Sequence, residues 1–191
     1  MRVIRADPVD SDDTAILEAA SVVLGGGVIV YPTDTVYGIG CVLGELAVRR
    51  VYAIKGRGSV SPLSVAFSSV EEVRHYTNMT RKQEEYVRKE HTNGMTFILE
   101  KKEIPDYVTA GLKTVGVRIL DNNVCRKLIQ RTGPLITTSA NLSGGRAPTR
   151  VEEIDREVAE NVDLILDGGP CKIGRPSRVI DLTRGYGVLR D

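Results

Sequence analysis

Residues 33–37 read Thr-Asp-Thr-Val-Tyr and follow an apolar run, Val28 to Val30, that Pro32 stops by removing a backbone donor. Hydroxyls and a carboxylate crowded just past a strand end mark the place where open α/β sheets hold ligands. The same residue types also make an ordinary turn. Lys55 and Arg57 flank Gly56 at the close of a helical pattern. An ammonium point charge beside a planar guanidinium suits phosphate oxygens, although two cations there also complement a helix C-terminus. The Gly58-Ser59-Val60-Ser61-Pro62 turn behind them carries hydroxyls that can fold over an anion. Ser139, Asn141 and the Gly144-Gly145 backbone add neutral donors for phosphate or ribose, and Thr33, Thr35 and Tyr37 can orient a small polar substrate. Ser139 and Asn141 read as ligand contacts in a loop, not as supports of the fold. There is no Walker A sequence and no paired-acid constellation for glycoside hydrolysis. The two histidines, His75 and His91, lie among charged helical residues, which argues against a Ser-His-Asp mechanism. A polyanion site without an evident covalent nucleophile points to phosphoryl or nucleotidyl transfer, where positioning and charge stabilisation do most of the catalysis.

The elements that must position these groups alternate between helices and strands. Ser11, Asp12 and Asp13 offer caps to a helix carrying Ile16, Leu17, Ala20, Val23 and Leu24, ended by Gly25 to Gly27. Leu46, Val48, Val51, Tyr52 and Ile54 form a short helix that delivers Lys55 and Arg57. Leu63 to Phe67, Met95 to Leu99 and Thr114 to Leu120 read as strands. In the last of these Val115, Val117 and Ile119 alternate with Gly116 and Arg118, so Arg118 points to the opposite face. On its own such an arginine is equally an exposed rung. Ser69 and Thr80 start helices, and Asp121 and Asn122 cap another, closed by Gly133-Pro134. Leu135 and Ile136 lead into the hydroxyl-rich stretch 137–145, after which Thr149 and Glu152 have capping-box spacing for the next helix. Val162 to Leu166 is a strand stopped by Asp167-Gly168-Gly169-Pro170. Val179 to Leu182 and Gly187 to Arg190 pair as closing strands. Several links are short enough for antiparallel pairing. The expected fold is therefore one α/β domain over residues 1–191, a mixed, twisted sheet with helices on its faces.

At 191 residues, with 41% hydrophobic and 27% charged, the chain has enough apolar material for one soluble core. Its net charge of +1 makes any basic surface local, so nothing in the totals demands nucleic acid or an anionic membrane. Aromatics at 5%, without tryptophan, argue against a stacking platform for single-stranded RNA. Cys41, Cys125 and Cys171 are isolated and odd in number, which fits neither a disulfide framework nor a zinc site. Arg2, Arg5 and Asp7 interrupt any leader-like run, and no stretch is apolar enough to span a bilayer. The expectation is a reduced, cytoplasmic protein.

The ordered segments YPTDTVYG, KGR with SPL soon after, TVGVR, TSANLSG, DGG and PSRVIDL resemble the YrdC-type threonylcarbamoyladenylate synthases, from about residue 13 to the C-terminus. The resemblance implies a YrdC-like α/β domain with a large basic cavity over its sheet. Longer relatives add a C-terminal domain, which is not expected in these 191 residues. It also implies an enzyme that makes threonylcarbamoyl-AMP and pyrophosphate from ATP, L-threonine and bicarbonate. Partner proteins would then move the threonylcarbamoyl group to a tRNA adenosine. Magnesium would arrive with ATP and not through a protein-only site. By motif, Lys55, Arg57, Ser139 and Asn141 would hold the nucleotide and carry the catalysis, with Ser61, Thr114, Thr149 and Arg190 as further nucleotide contacts. Thr35, Arg118 and Ser177 would hold the amino acid, Arg118 as a bidentate fork on its carboxylate.

Two positions depart from the family pattern. Ala66 occupies the place of a histidine, and Arg178 adds a cation where a threonine is usual; Ser61 replaces an asparagine but can still hydrogen-bond. The departures are expected to weaken threonine binding and to leave the nucleotide half intact. They also admit a YciO-like relative that binds double-stranded RNA or tRNA without synthase activity. A carbamoyl transferase of the hydrogenase-maturation kind is a further alternative, although that domain belongs to much larger proteins.

Overall fold

The computed structural model describes residues 2–7, 14–56 and 61–191. Along the chain, β1 (Val3–Arg5) leads to α1 (Thr14–Leu24), β2 (Ile29–Tyr31), β3 (Gly38–Gly40) and α2 (Glu45–Ile54). Then come β4 (Ser64–Phe67), α3 (Val70–Tyr76), α4 (Arg81–Glu90), β5 (Met95–Glu100) and α5 (Asp106–Thr109). The remainder is β6 (Thr114–Ile119), α6 (Asn123–Thr132), β7 (Leu135–Ser139), α7 (Arg156–Asn161), β8 (Leu164–Asp167), β9 (Arg178–Asp181) and β10 (Gly187–Arg190).

Local chemistry accounts for most boundaries. Ser69 accepts from the Glu72 amide to start α3. Thr80 and Gln83 close a reciprocal capping box at α4, and Asn122 accepts from the Cys125 amide at α6. The caps expected at Ser11 to Asp13 lie outside the described residues. The box expected from Thr149 to Glu152 is not formed. The amide and hydroxyl of Thr149 instead donate to Glu153, at 2.7 and 2.9 Å, and residues 151–153 make only a 3-10 turn before α7. One residue of slippage is enough, because the chain here turns too tightly for a regular first helical turn.

The strands form one sheet in the order β1-β8-β2-β3-β7-β4-β6-β5-β9-β10. Pairings β1·β8, β2·β8, β4·β6 and β5·β9 are parallel and the rest antiparallel, so the sheet is mixed as the short links require. One face buries Val65, Val117, Ile119 and Ile136 against residues of α2, α3, α5 and α7. On the other face Ala66, Leu120 and Leu135 meet α1 and α6. Among the described residues, no helix is long and apolar enough to cross a membrane.

β3 was not legible in the sequence, since two of its three residues are glycine, a poor strand former. Its glycine content has a steric cause. A Cβ on Gly40 would lie 2.4 Å from Tyr31 Cε1 and 2.8 Å from the Ile136 carbonyl oxygen. The strand can slip between β2 and β7 only without a side chain there. We expect Gly40→Ala to cost about 1–3 kcal/mol through overpacking, read as a lower urea midpoint of unfolding. An unchanged midpoint would show that the Tyr31 ring moves aside freely.

Candidate functional site

A cavity of about 610 Å³ opens on the sheet face that carries α1 and α6, beyond the reach of their apolar cluster. Strand alternation builds its floor: Ser64 lies two residues before Ala66 on β4, Gly116 and Arg118 precede Leu120, and Thr137 and Ser139 follow Leu135. Ser64 pairs with Gly116 on one side and Thr137 on the other, which makes a continuous row. Thr96 and Ile98 of β5 extend the floor. Lys55, Ser61, Asn141, Ser143, Gly144, Ser177 and Arg190 form walls and rim. The described lining holds three cations, Lys55, Arg118 and Arg190, and no carboxylate.

Each cation is fixed by partners from another element. Lys55, at the end of α2, is only 3% exposed, and its ammonium donates to the carbonyls of Ser139 at 2.5 Å and Asn141 at 2.6 Å. Lys55 therefore braces the loop after β7 as well as facing the cavity. Arg190 of β10 reaches back to the Ser177 carbonyl through Nε and Nη2 and donates to Ser177 Oγ at 3.1 Å. Ser177 Oγ in turn shares a 2.7 Å hydrogen bond with Thr96 Oγ1.

Arg118 is held by the turn after β2. Its Nη2 donates to Asp34 Oδ1 at 2.7 Å and to Thr35 Oγ1 at 2.8 Å. The proton order in that turn is determined. The Thr33 hydroxyl donates to the Val36 carbonyl at 2.6 Å, so the 3.0 Å contact between Thr33 and Thr35 must be a donation from Thr35. Thr35 thus gives its only proton to Thr33 and accepts from Arg118. It is fully buried and belongs to the arginine's holder, not to the cavity wall. With Nη2 holding two acceptors of the protein, the bidentate fork read from the sequence is already partly occupied. Nε has no partner among the described residues. Burial raises the Asp34 carboxyl above its ordinary range, against the opposing pull of Arg118.

The expected site residues are thus distributed as follows. Lys55, Ser61, Arg118, Ser139, Asn141, Ser177 and Arg190 line one cavity. Thr114, at the start of β6, and Thr149, bonded to Glu153, do not line it. Arg57 lies outside the described residues. Asn141 is more structural than its sequence context implies: its amide nitrogen donates to the carbonyls of Leu142 at 2.6 Å and Gly145 at 2.9 Å. Its Oδ1 stays buried without a partner among the described residues. Arg178 is not a cation of the pocket, because it points away from Ser177 and pairs with Asp191 at 2.6 Å. Ala66 lies opposite Arg118 in the β4·β6 pairing but is fully buried in the α1 and α6 cluster.

Sequence reasoning gave Thr96 and Thr137 no individual role and counted Asp34 among the polar groups past a strand end without assigning it a partner. Asp34 stood in view inside YPTDTVYG, but its partner lies 84 residues away. The thiols are unsuited to nucleophilic attack at neutral pH: burial pushes Cys171 up to about 11, Cys41 up to about 12 and Cys125 well above its ordinary value.

A family model for Sua5, YciO and YrdC proteins, described as "Telomere recombination", matches residues 21–191. A putative threonylcarbamoyl-AMP synthase from Methanocaldococcus jannaschii is 40% identical over 162 residues, 84% of this chain and 76% of that protein. A threonylcarbamoyl-AMP synthase from Bacillus subtilis is 34% identical over 188 residues, 96% of this chain and 54% of its own length. The crystal structure of P. abyssi Sua5 complexed with L-threonine matches with a TM-score of 0.87 at 33% identity, covering 99% of this chain and 56% of that one. This chain therefore spans little more than half the length of the last two proteins.

The brace made by Lys55 yields a test of its own. Lys55→Met leaves two buried carbonyls without their donor, and we expect a loss of about 1–3 kcal/mol in urea unfolding. Faster amide exchange should appear over residues 139–145. Unchanged stability and exchange would confine Lys55 to ligand contact.

Proposed function

This chain belongs to the Sua5, YciO and YrdC family, and from that premise we propose that it makes threonylcarbamoyl-AMP from ATP, L-threonine and bicarbonate, with release of pyrophosphate. The observation that carries the reading is one cavity that joins two kinds of recognition. At one end lies Arg118, suited to an amino-acid carboxylate. At the other lie Lys55, Ser139, Asn141 and the Gly144 backbone, suited to a nucleotide.

The chemistry asks for positioning. The threonine amine attacks the carbon of bicarbonate and water leaves, giving a carbamate. A carbamate oxygen then attacks the α-phosphorus of ATP, and the bond to pyrophosphate breaks. Lys55 and Arg190 offset charge that builds on the phosphate oxygens, while the hydroxyl floor of Ser64, Thr96 and Thr137 orients the carbamate between the two ends. Excluding water protects both the carbamate and the mixed anhydride. ATP enters as its magnesium complex. The described lining offers hydroxyl oxygens and no carboxylate, which suits an ion held mainly by phosphates and water. In this reading the product passes to separate proteins that modify a tRNA adenosine, and the protein works in the cytoplasm.

The decisive assay is pyrophosphate release from ATP, run with threonine, serine, valine and no amino acid, with and without bicarbonate. We expect release to require both threonine and bicarbonate. ATP binding without threonine-dependent turnover would overturn the synthase reading and favour a YciO-like RNA binder. Arg178→Thr serves as the control. Because its ion pair with Asp191 is exposed, the threonine KM should change less than about threefold.

A further inference from the structure

We infer that Asp34 is a positioning and selectivity residue of the amino-acid subsite: it fixes the Arg118 guanidinium and cancels its charge, so that the subsite takes a zwitterionic amino acid and rejects inorganic phosphate. The inference rests on the synthase reading above, in which Arg118 receives the threonine carboxylate.

The geometry carries it. Asp34 is 2% exposed and Arg118 7%, so their 2.7 Å contact is a buried ion pair with little solvent to screen it. The carboxylate is aimed by an unusually well-held turn. Thr33 Oγ1 accepts from the amides of Thr35 and Val36 and donates to the Val36 carbonyl, closing the turn on itself. From outside, the amides of Ile173 and Gly174 donate to the carbonyls of Asp34 and Thr35 at 2.9 and 3.0 Å. The Cys125 thiol of α6 donates to the carbonyl of Pro32. A carboxylate on a turn held from two sides cannot follow the arginine; the arginine must come to it.

The consequence concerns charge. An arginine alone on a cavity floor attracts any anion, and phosphate, with more charge than a carboxylate, would bind it well. Opposed by Asp34, the pair is neutral as a whole. Its guanidinium still lines the cavity and offers N–H groups there. A zwitterion of zero net charge can use those donors, whereas a phosphate meets Asp34 as a like charge. Keeping phosphate out matters in a cavity whose other end handles polyphosphate, since pyrophosphate is a product of the proposed reaction.

The test measures L-threonine binding by calorimetry, in the absence of ATP, for the unsubstituted protein and Asp34→Asn, with and without millimolar inorganic phosphate. Asparagine keeps the shape but removes the charge, and its neutral amide oxygen anchors Nη2 more weakly than the carboxylate does. We expect Asp34→Asn to weaken threonine about tenfold. Phosphate should compete with threonine in the variant and not in the unsubstituted protein, and ATP affinity should be unchanged. A gain of phosphate competition is a readout that simple loosening of the fold would not produce. Threonine affinity equal to the unsubstituted protein, without phosphate competition, overturns the proposal. If Asp34→Asn does not fold, Thr35→Val decides: it removes the second Nη2 acceptor without a change of charge and should weaken threonine but not ATP. Unchanged threonine affinity there overturns the positioning role. Failure of the unsubstituted protein to bind threonine at all overturns the synthase reading, and this one with it.

Discussion

A cation cannot be left in a protein interior without fixed partners, and this constraint organises the whole site. Lys55 and Arg118 are both almost fully buried, yet both face a cavity. Each is held by atoms far away in the chain: Lys55 by carbonyls beyond β7, Arg118 by the turn after β2. Those holders are themselves connected. The Ala140 amide donates to the Tyr37 carbonyl, and the Tyr37 amide donates to the Pro148 carbonyl. The two cations thus belong to one network of backbone bonds, and neither can be re-aimed without disturbing the strand ends that carry it.

The sheet supplies the other half of the constraint. One face is apolar along its length, but the opposite face changes character along each strand, from Leu135, Ala66 and Leu120 under the helices to Thr137, Ser64 and Gly116 in the cavity. The change takes two residues on β4 and β7 and, with Arg118 between, four at the end of β6. Across β4, β6 and β7 the middle of the floor is Ser64, Gly116 and Thr137, side chains too small to fill the cavity. At Gly116 even a methyl group would meet Ser64 Oγ at 2.5 Å, so the floor is already at contact. The floor of that space is therefore set by paired strands, a good setting for chemistry that depends on alignment.

How far this was legible in the sequence depended on whether side-chain identity or backbone geometry did the work. The helix starts at Ser69, Thr80 and Asn122 are side-chain devices and could be read directly. The direction of Arg118 followed from alternation with Val115, Val117 and Ile119, all of which lie in the main core. β3 could not be read, because its reason for existing is the space that Gly40 leaves beneath Tyr31. Nor could the acceptors of Lys55, since backbone carbonyls carry no residue signature. Thr149 was read as a cap on the wrong acid because the turn tightened by one residue. Asp34 was visible as a polar residue past a strand end, but its meaning needed an arginine on a strand laid down 84 residues later.

The same distinction bears on where the two departures from the family pattern lie. Arg178 follows Ser177 directly, and in a strand direct neighbours point to opposite faces. The added charge therefore leaves the cavity and finds Asp191, while Ser177 keeps its bonds to Thr96 and Arg190. Ala66 does share a face with Ser64 and lies across from Arg118, so its position is spatially close to the site. Yet its methyl is fully buried among residues of α1 and α6, and the arginine beside it is secured by Asp34 and Thr35 from the other side. An imidazole at position 66 would need room that the apolar cluster now occupies. The hold of the protein on Arg118 therefore comes from Asp34 and Thr35 and not from position 66.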